Sequence, residues 1–136
     1  MKEEVFALTL EQRAKLAKLG VVLLYAHGSV AMGTARQDSD VDVAVLFHRM
    51  PEDPIEATGA IMRALCDFAP ENKLDVAILN ESSPLFKQIV ASTGKLLYAR
   101  SPDDALRFEL RSMHEYEYSR HIVRLGQELV LKRMDL

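Results

Sequence analysis

One cysteine, Cys66, stands alone among 136 residues. It has no internal partner, so no disulfide framework holds this fold, and such thiol usage suits a reducing cytosol. Missing too is any apolar run near the roughly 18 residues that a membrane helix needs. Met1-Lys2-Glu3-Glu4 lacks the pattern of a secretory leader. A cytoplasmic protein without membrane contact is the expectation. An excess of positive charge is absent as well. The 17 Lys and Arg against 20 Asp and Glu give a formal net charge of −3, and the basic residues are dispersed. Passive coating of nucleic acid needs a basic surface, so direct nucleic-acid binding is not expected. There is no internal repeat, no low-complexity tract and no linker, which leaves a single domain over residues 1–136. At 49% hydrophobic and 27% charged residues the chain is not disordered. At this length about two thirds of the extended chain's surface can be buried, enough for one core.

The elements follow from local signals. Thr9 with Gln12 three residues later has the spacing of a capping box. A helix is therefore expected over Leu10–Leu19, closed by Gly20. Val21–Ala26 (VVLLYA) is a continuous apolar run of strand length, as in a central strand buried on both sides. A short helix-like segment follows Gly28-Ser29. Asp40–Phe47 (DVDVAVLF) alternates at its start and reads as a second strand. Asp53 as N-cap, Pro54 at the first helical position and Glu56 two residues on open a helix. Its buried stripe is expected to be Ala57, Ile61, Ala64, Leu65 and Phe68, with Cys66 packed against the core. Lys73–Leu79 (KLDVAIL) is a third strand. Ser83-Pro84 repeats the capping signal for a helix to about Thr93, ended by Gly94. Lys95–Ala99 is a fourth strand. Ser101-Pro102 opens a last, long helix running toward Met134. Leu106, Leu110, Met113, Ile122, Leu125 and Leu129 mark its expected apolar side, and Gly126 is a candidate bend. This order predicts an α/β (α+β) domain in which helices cover a small mixed four-stranded sheet.

Chemistry concentrates between Gly28 and Asp42. Residues i and i+2 of a strand point to one face, so Asp40 and Asp42 would stand side by side on a Val-rich strand. Two adjacent carboxylates repel, and a hard cation held between them removes the conflict. Asp75 is another acid inside an apolar run. If its strand neighbours that of Asp40 and Asp42, three carboxylates converge. Such a set can hold two Mg²⁺ ions about 3.5–4 Å apart, the geometry of phosphoryl and nucleotidyl transfer. Each acid taken singly also reads as a turn, cap or edge residue. Gly28 permits close approach of backbone to phosphate, and the N–H groups and hydroxyl of Ser29 can hold phosphate oxygens. The pair is neither a P-loop nor a nucleophile elbow, because no Gly-Lys-Ser/Thr and no Gly-x-Ser-x-Gly is present. Gly33 permits a reversal into the second strand. Arg36 lies in that return and could neutralise a triphosphate, or be an ordinary solvated arginine. His48, His114 and His121 show no metal-ligand spacing with Cys66.

Gly-Ser, ten residues, then Asp-x-Asp, here GSVAMGTARQDSDVDVAVLF, resembles the signature of the DNA polymerase β-like nucleotidyltransferase superfamily. The short chain looks like the minimal nucleotidyltransferases, or MNT group, which act as antitoxins beside HEPN-domain toxins. The tail from Gly94 to Leu125 also resembles that group's last strand and helix. The resemblance implies that Gly28 and Ser29 hold the β- and γ-phosphates of ATP. It implies that Asp40 and Asp42 ligate both Mg²⁺ ions, and that Asp75 completes the metal site and helps activate the attacking hydroxyl. His27 stands where the family commonly has Phe, and packing is favoured over catalysis for it. The implied reaction moves AMP from ATP to a tyrosine hydroxyl of the cognate HEPN ribonuclease toxin and neutralises it. Tyr116 and Tyr118 are read as packing or partner-contact residues rather than acceptors.

Two other readings stay open at this point. One is nucleotidyl transfer to a small molecule of the aminoglycoside type. Those enzymes usually carry an extra helical domain, and about 60 residues after Asp75 leave little room for it. The other is a non-catalytic antitoxin that masks its partner by binding, and this can coexist with catalysis. A homo- or hetero-oligomer fits all three. Phe108, Met113, Tyr116, Tyr118, Ile122 and Leu125 are more apolar and aromatic residues than one buried stripe needs. They either dock the partner or pack on the sheet or in a homodimer.

Overall fold

Local capping sets where the chain turns into each helix. The computed structural model describes residues 7–28, 40–69 and 73–134. Helix α1 (Leu10–Lys18) starts at a complete capping box: the Thr9 hydroxyl accepts the Gln12 N–H at 3.1 Å, and the Gln12 side chain accepts the Thr9 N–H at 2.9 Å. Strand β1 (Val21–His27) follows a left-handed Gly20, and β2 is Val41–Phe47. Helix α2 (Pro54–Ala64) is capped by the Asp53 carboxylate on the Glu56 N–H. Strand β3 (Leu74–Ile78) runs into a one-turn 3-10 helix, Leu79–Glu81. Helix α3 (Pro84–Thr93) is capped by Ser83, β4 is Lys95–Ala99, and α4 (Pro102–Met134) ends the described chain.

The four strands form one sheet in the order β3-β2-β1-β4. Strand β1 is antiparallel to β2 and β4, whereas β2 and β3 are parallel, so the sheet is mixed as expected. Six of the seven β1 residues are buried, as befits a strand covered on both faces. On one face Leu24, Ala26, Val43 and Val45 meet Leu16 of α1 and Ile61 and Ala64 of α2. On the other, Leu23, Tyr25 and Ala44 meet Val90 of α3 and Ala105 and Phe108 of α4. The Asn80 side chain ties off the end of β2, accepting the Phe47 N–H and donating to its carbonyl, both at 2.9 Å.

Three expectations change. Helix α2 stops at Ala64, because Leu65 leaves helical geometry at φ −104°. Leu65 and Phe68 still pack on the core from the turns beyond, but Cys66 faces solvent rather than the core. Gly126 does not end α4, which runs unbroken for 33 residues. The apolar side assigned to α4 is also not its packed side. Its buried residues are Ala105, Phe108 and Ser112, at helical spacing, while Leu106, Leu110, Met113, Ile122, Leu125 and Leu129 are all exposed. From Arg120 to Met134 every residue is exposed. Among the described residues no helix is long and apolar enough to cross a membrane.

Candidate active site

Strand register assembles the site. In the parallel pairing of β2 with β3, Asp42 lies opposite Asp75. In the antiparallel pairing of β1 with β2, His27 lies opposite Asp42. Paired residues on neighbouring strands share a face and stand about 4.8 Å apart. His27, Asp42 and Asp75 thus form one row across three strands, on the sheet face that α3 and α4 cover further along. Asp42 is half-buried, while Asp75 is exposed. Asp40 precedes β2, is exposed, and stands outside that row. Among the described residues no group of three His, Cys, Asp or Glu side chains is gathered to hold a metal ion.

Gly28 completes the row's edge. Its φ of +73° is left-handed, a conformation that side chains other than glycine's adopt at a cost. A Cβ placed there would sit 2.6 Å from Asp42 Oδ2, well inside contact distance. The glycine therefore serves twice: it makes the turn out of β1, and it leaves the Asp42 carboxylate in place beside it. Oxygen donors on adjacent strands, with backbone close by and no Cβ between them, fit a hard divalent cation. Ser29, Gly33 and Arg36, with the expected short helical segment, lie outside the described residues.

Sequence reasoning did not place His27 in this row. Its ring meets Phe86 of α3 edge-on, with centroids 5.3 Å apart and planes at 86°. The signal was its position one residue before Gly28, which becomes informative only once β1 and β2 are known to pair antiparallel.

Comparison with known proteins decides the family. A family model described as polymerase beta, nucleotidyltransferase matches residues 11–103, which span β1, β2 and β3 and every residue of the site. The chain belongs to the polymerase β nucleotidyltransferase family. Two curated relatives are called protein adenylyltransferase MntA. The one from Shewanella oneidensis is 30% identical over 98 residues, 71% of this chain and 66% of that protein. The one from Aphanizomenon flos-aquae is 30% identical over 120 residues, 79% of this chain and 75% of that protein. A crystal structure of a toxin–antitoxin with AMP-PNP superposes with a TM-score of 0.63 at 28% identity, covering 90% of this chain and 98% of that one. As a nucleotidyltransferase, this protein carries the Gly28 turn and the Asp42–Asp75 pair within the stretch that matches the family.

Proposed function

We propose that this protein is an adenylyltransferase antitoxin that moves AMP from ATP to a tyrosine hydroxyl of a HEPN-type toxin. The observation that carries the reading is the juxtaposition of Gly28, Asp42 and Asp75 at one edge of the sheet. Its support is the family and the relatives named protein adenylyltransferase MntA.

Asp42 and Asp75, with Asp40 at the entrance to β2, would hold Mg²⁺. When bound, the ions supply counter-charge to the triphosphate and to the oxygens entering and leaving phosphorus. The protein's own part is positional. Backbone at Gly28 and Ser29 cradles the β- and γ-phosphates and orients the α-phosphorus. Asp75 takes the acceptor side and draws the hydroxyl proton. The tyrosine oxygen forms a bond to the α-phosphorus in line as the bond to the bridging oxygen breaks, and pyrophosphate leaves with that electron pair. The product is a phosphodiester on the toxin.

The toxin's docking surface is the distal part of α4. Residues 120–134 carry four basic side chains against one acidic, on a chain whose net charge is −3. Two copies of so basic a segment would repel, so a second copy of this chain is the poorer occupant. Exposed Ile122, Leu125 and Leu129 supply the apolar anchor.

The test is incubation of the protein with ATP, Mg²⁺ and the candidate toxin, followed by intact-mass measurement. The toxin should gain adenylyl increments. Asp42→Asn should fold normally and lower transfer by orders of magnitude, because an amide cannot replace the carboxylate charge. A toxin of unchanged mass, or full turnover in the variant, overturns the reading.

A further inference from the structure

A second candidate site lies at the opposite end of the sheet, independent of the transfer residues. A cavity of about 490 Å³ opens where β1 begins and β2 ends, under the first turns of α4. Ligand pockets commonly measure about 300–1,000 Å³. Its apolar floor includes Val22, Leu46, Leu79 and Phe108. Leu46 stands four residues beyond Asp42 on β2, about 13 Å along the strand.

The charges around this floor are unbalanced. Lys87 is paired with Glu115 at 3.1 Å, and Arg100 with Asp104 at 3.0 Å, so two cations and two anions offset each other. Arg107 and Arg111 also line the cavity, one helical turn apart on α4, and both are exposed. Neither makes a hydrogen bond or ion pair to another described residue. Beside them lies Ser112, 1% exposed, whose Oγ is buried and has no hydrogen-bond partner among the described residues. A buried hydroxyl without a partner is unusual, and Ser112 lies at the wall of the cavity next to the two guanidinium groups.

We propose that this cavity binds a nucleoside phosphate, distinct from the ATP consumed in transfer. Guanidinium groups match phosphate oxygens with paired donors. The apolar floor with the Phe108 ring takes the nucleoside. An anion without an apolar part would leave that floor unused, so ADP should bind more tightly than inorganic pyrophosphate.

Calorimetric titration of the full chain with ADP in excess EDTA tests this. EDTA withholds divalent cations from the transfer site. One ADP should bind per chain, equally well in the wild type and in Asp42→Asn. Arg107→Ala with Arg111→Ala should weaken ADP at least tenfold. Absence of saturable binding would overturn the proposal. So would affinity that falls in Asp42→Asn but not in the arginine variant, which would put the nucleotide at the transfer site. Pyrophosphate binding as tightly as ADP would remove the nucleoside from the proposal and refute it in this form.

Discussion

Adding one methyl group at Gly28 should separate what this turn does for folding from what it does for chemistry. Gly28→Ala meets two obstacles. The left-handed φ of +73° costs an L-residue roughly 1–2 kcal/mol. The new Cβ would also lie 2.6 Å from Asp42 Oδ2, where ordinary contact begins at 3.4 Å. The carboxylate must then retreat by several tenths of an ångström, and it is the far end of a side chain, so it can. That retreat displaces the group assigned to hold the cation. Displacements on the order of 1 Å in a reacting geometry cost about a hundredfold in rate. Gly20→Ala is the internal control: φ is +80° there, and nothing lies within 4 Å of the added methyl. Both variants should lower the melting temperature by roughly 3–10 °C. Only Gly28→Ala should lose transfer, by one to two orders of magnitude in kcat/KM at a temperature where both are folded. Equal transfer by the two variants, in either direction, would refute the steric argument and reduce Gly28 to a turn residue.

Further predictions concern the partner, the core and pH. Arg120→Glu with Arg124→Glu should weaken capture of the toxin in a pull-down while ATP titration of the free protein is unchanged. Undiminished capture would remove α4 from the interface. Ile61→Ala empties a fully buried position between α2 and the sheet and should cost about 2–5 kcal/mol in urea unfolding. A loss under about 1 kcal/mol would mean that α2 does not pack as described. Asp104 is held below the usual carboxylate range, first by its hydrogen bonds from Arg100 and then by the Ser101 hydroxyl. A depressed folded value means stability that is present above about pH 4 and lost as pH falls through the folded value. Protection of the amides in the first turn of α4, measured by hydrogen exchange relative to the intrinsic rate at each pH, should therefore fall on acidification in the wild type. The same acid response in Asp104→Asn would sink this assignment.

How much of this was legible in the sequence depended on the range of the interaction. The caps at Thr9, Asp53 and Ser83 are contacts over three residues, and each was visible as a residue pattern. The buried β1 was visible because six apolar residues in succession leave a strand no exposed side. The Asp42–Asp75 pairing joins residues 33 positions apart. Two acids in two apolar runs suggested it, but parallel register was a tertiary choice. The packed face of α4 was not legible for a different reason. Its apolar residues surround much of the helix, so periodicity does not name one side, and the true contact line of Ala105, Phe108 and Ser112 includes a serine. Cys66 was misplaced because α2 ends at Ala64, short of the stripe expected as far as Phe68. The cavity at the far end of the sheet draws on β1, β2, α3 and α4 together and leaves no local trace.

The projecting part of α4 bears on how long this protein survives. Helices of that length hold together weakly in water without tertiary contacts, and residues 120–134 have none of their side chains buried. Opening of such a segment costs little free energy, so cleavage there follows the open population rather than global unfolding. The rest of the fold, with its core on both faces of the sheet, would resist the same protease. A free molecule would then be trimmed in this helix first, while one whose helix is covered as proposed would be spared. The lifetime of this chain would then depend on how much partner surrounds it, through the exposure of one helix.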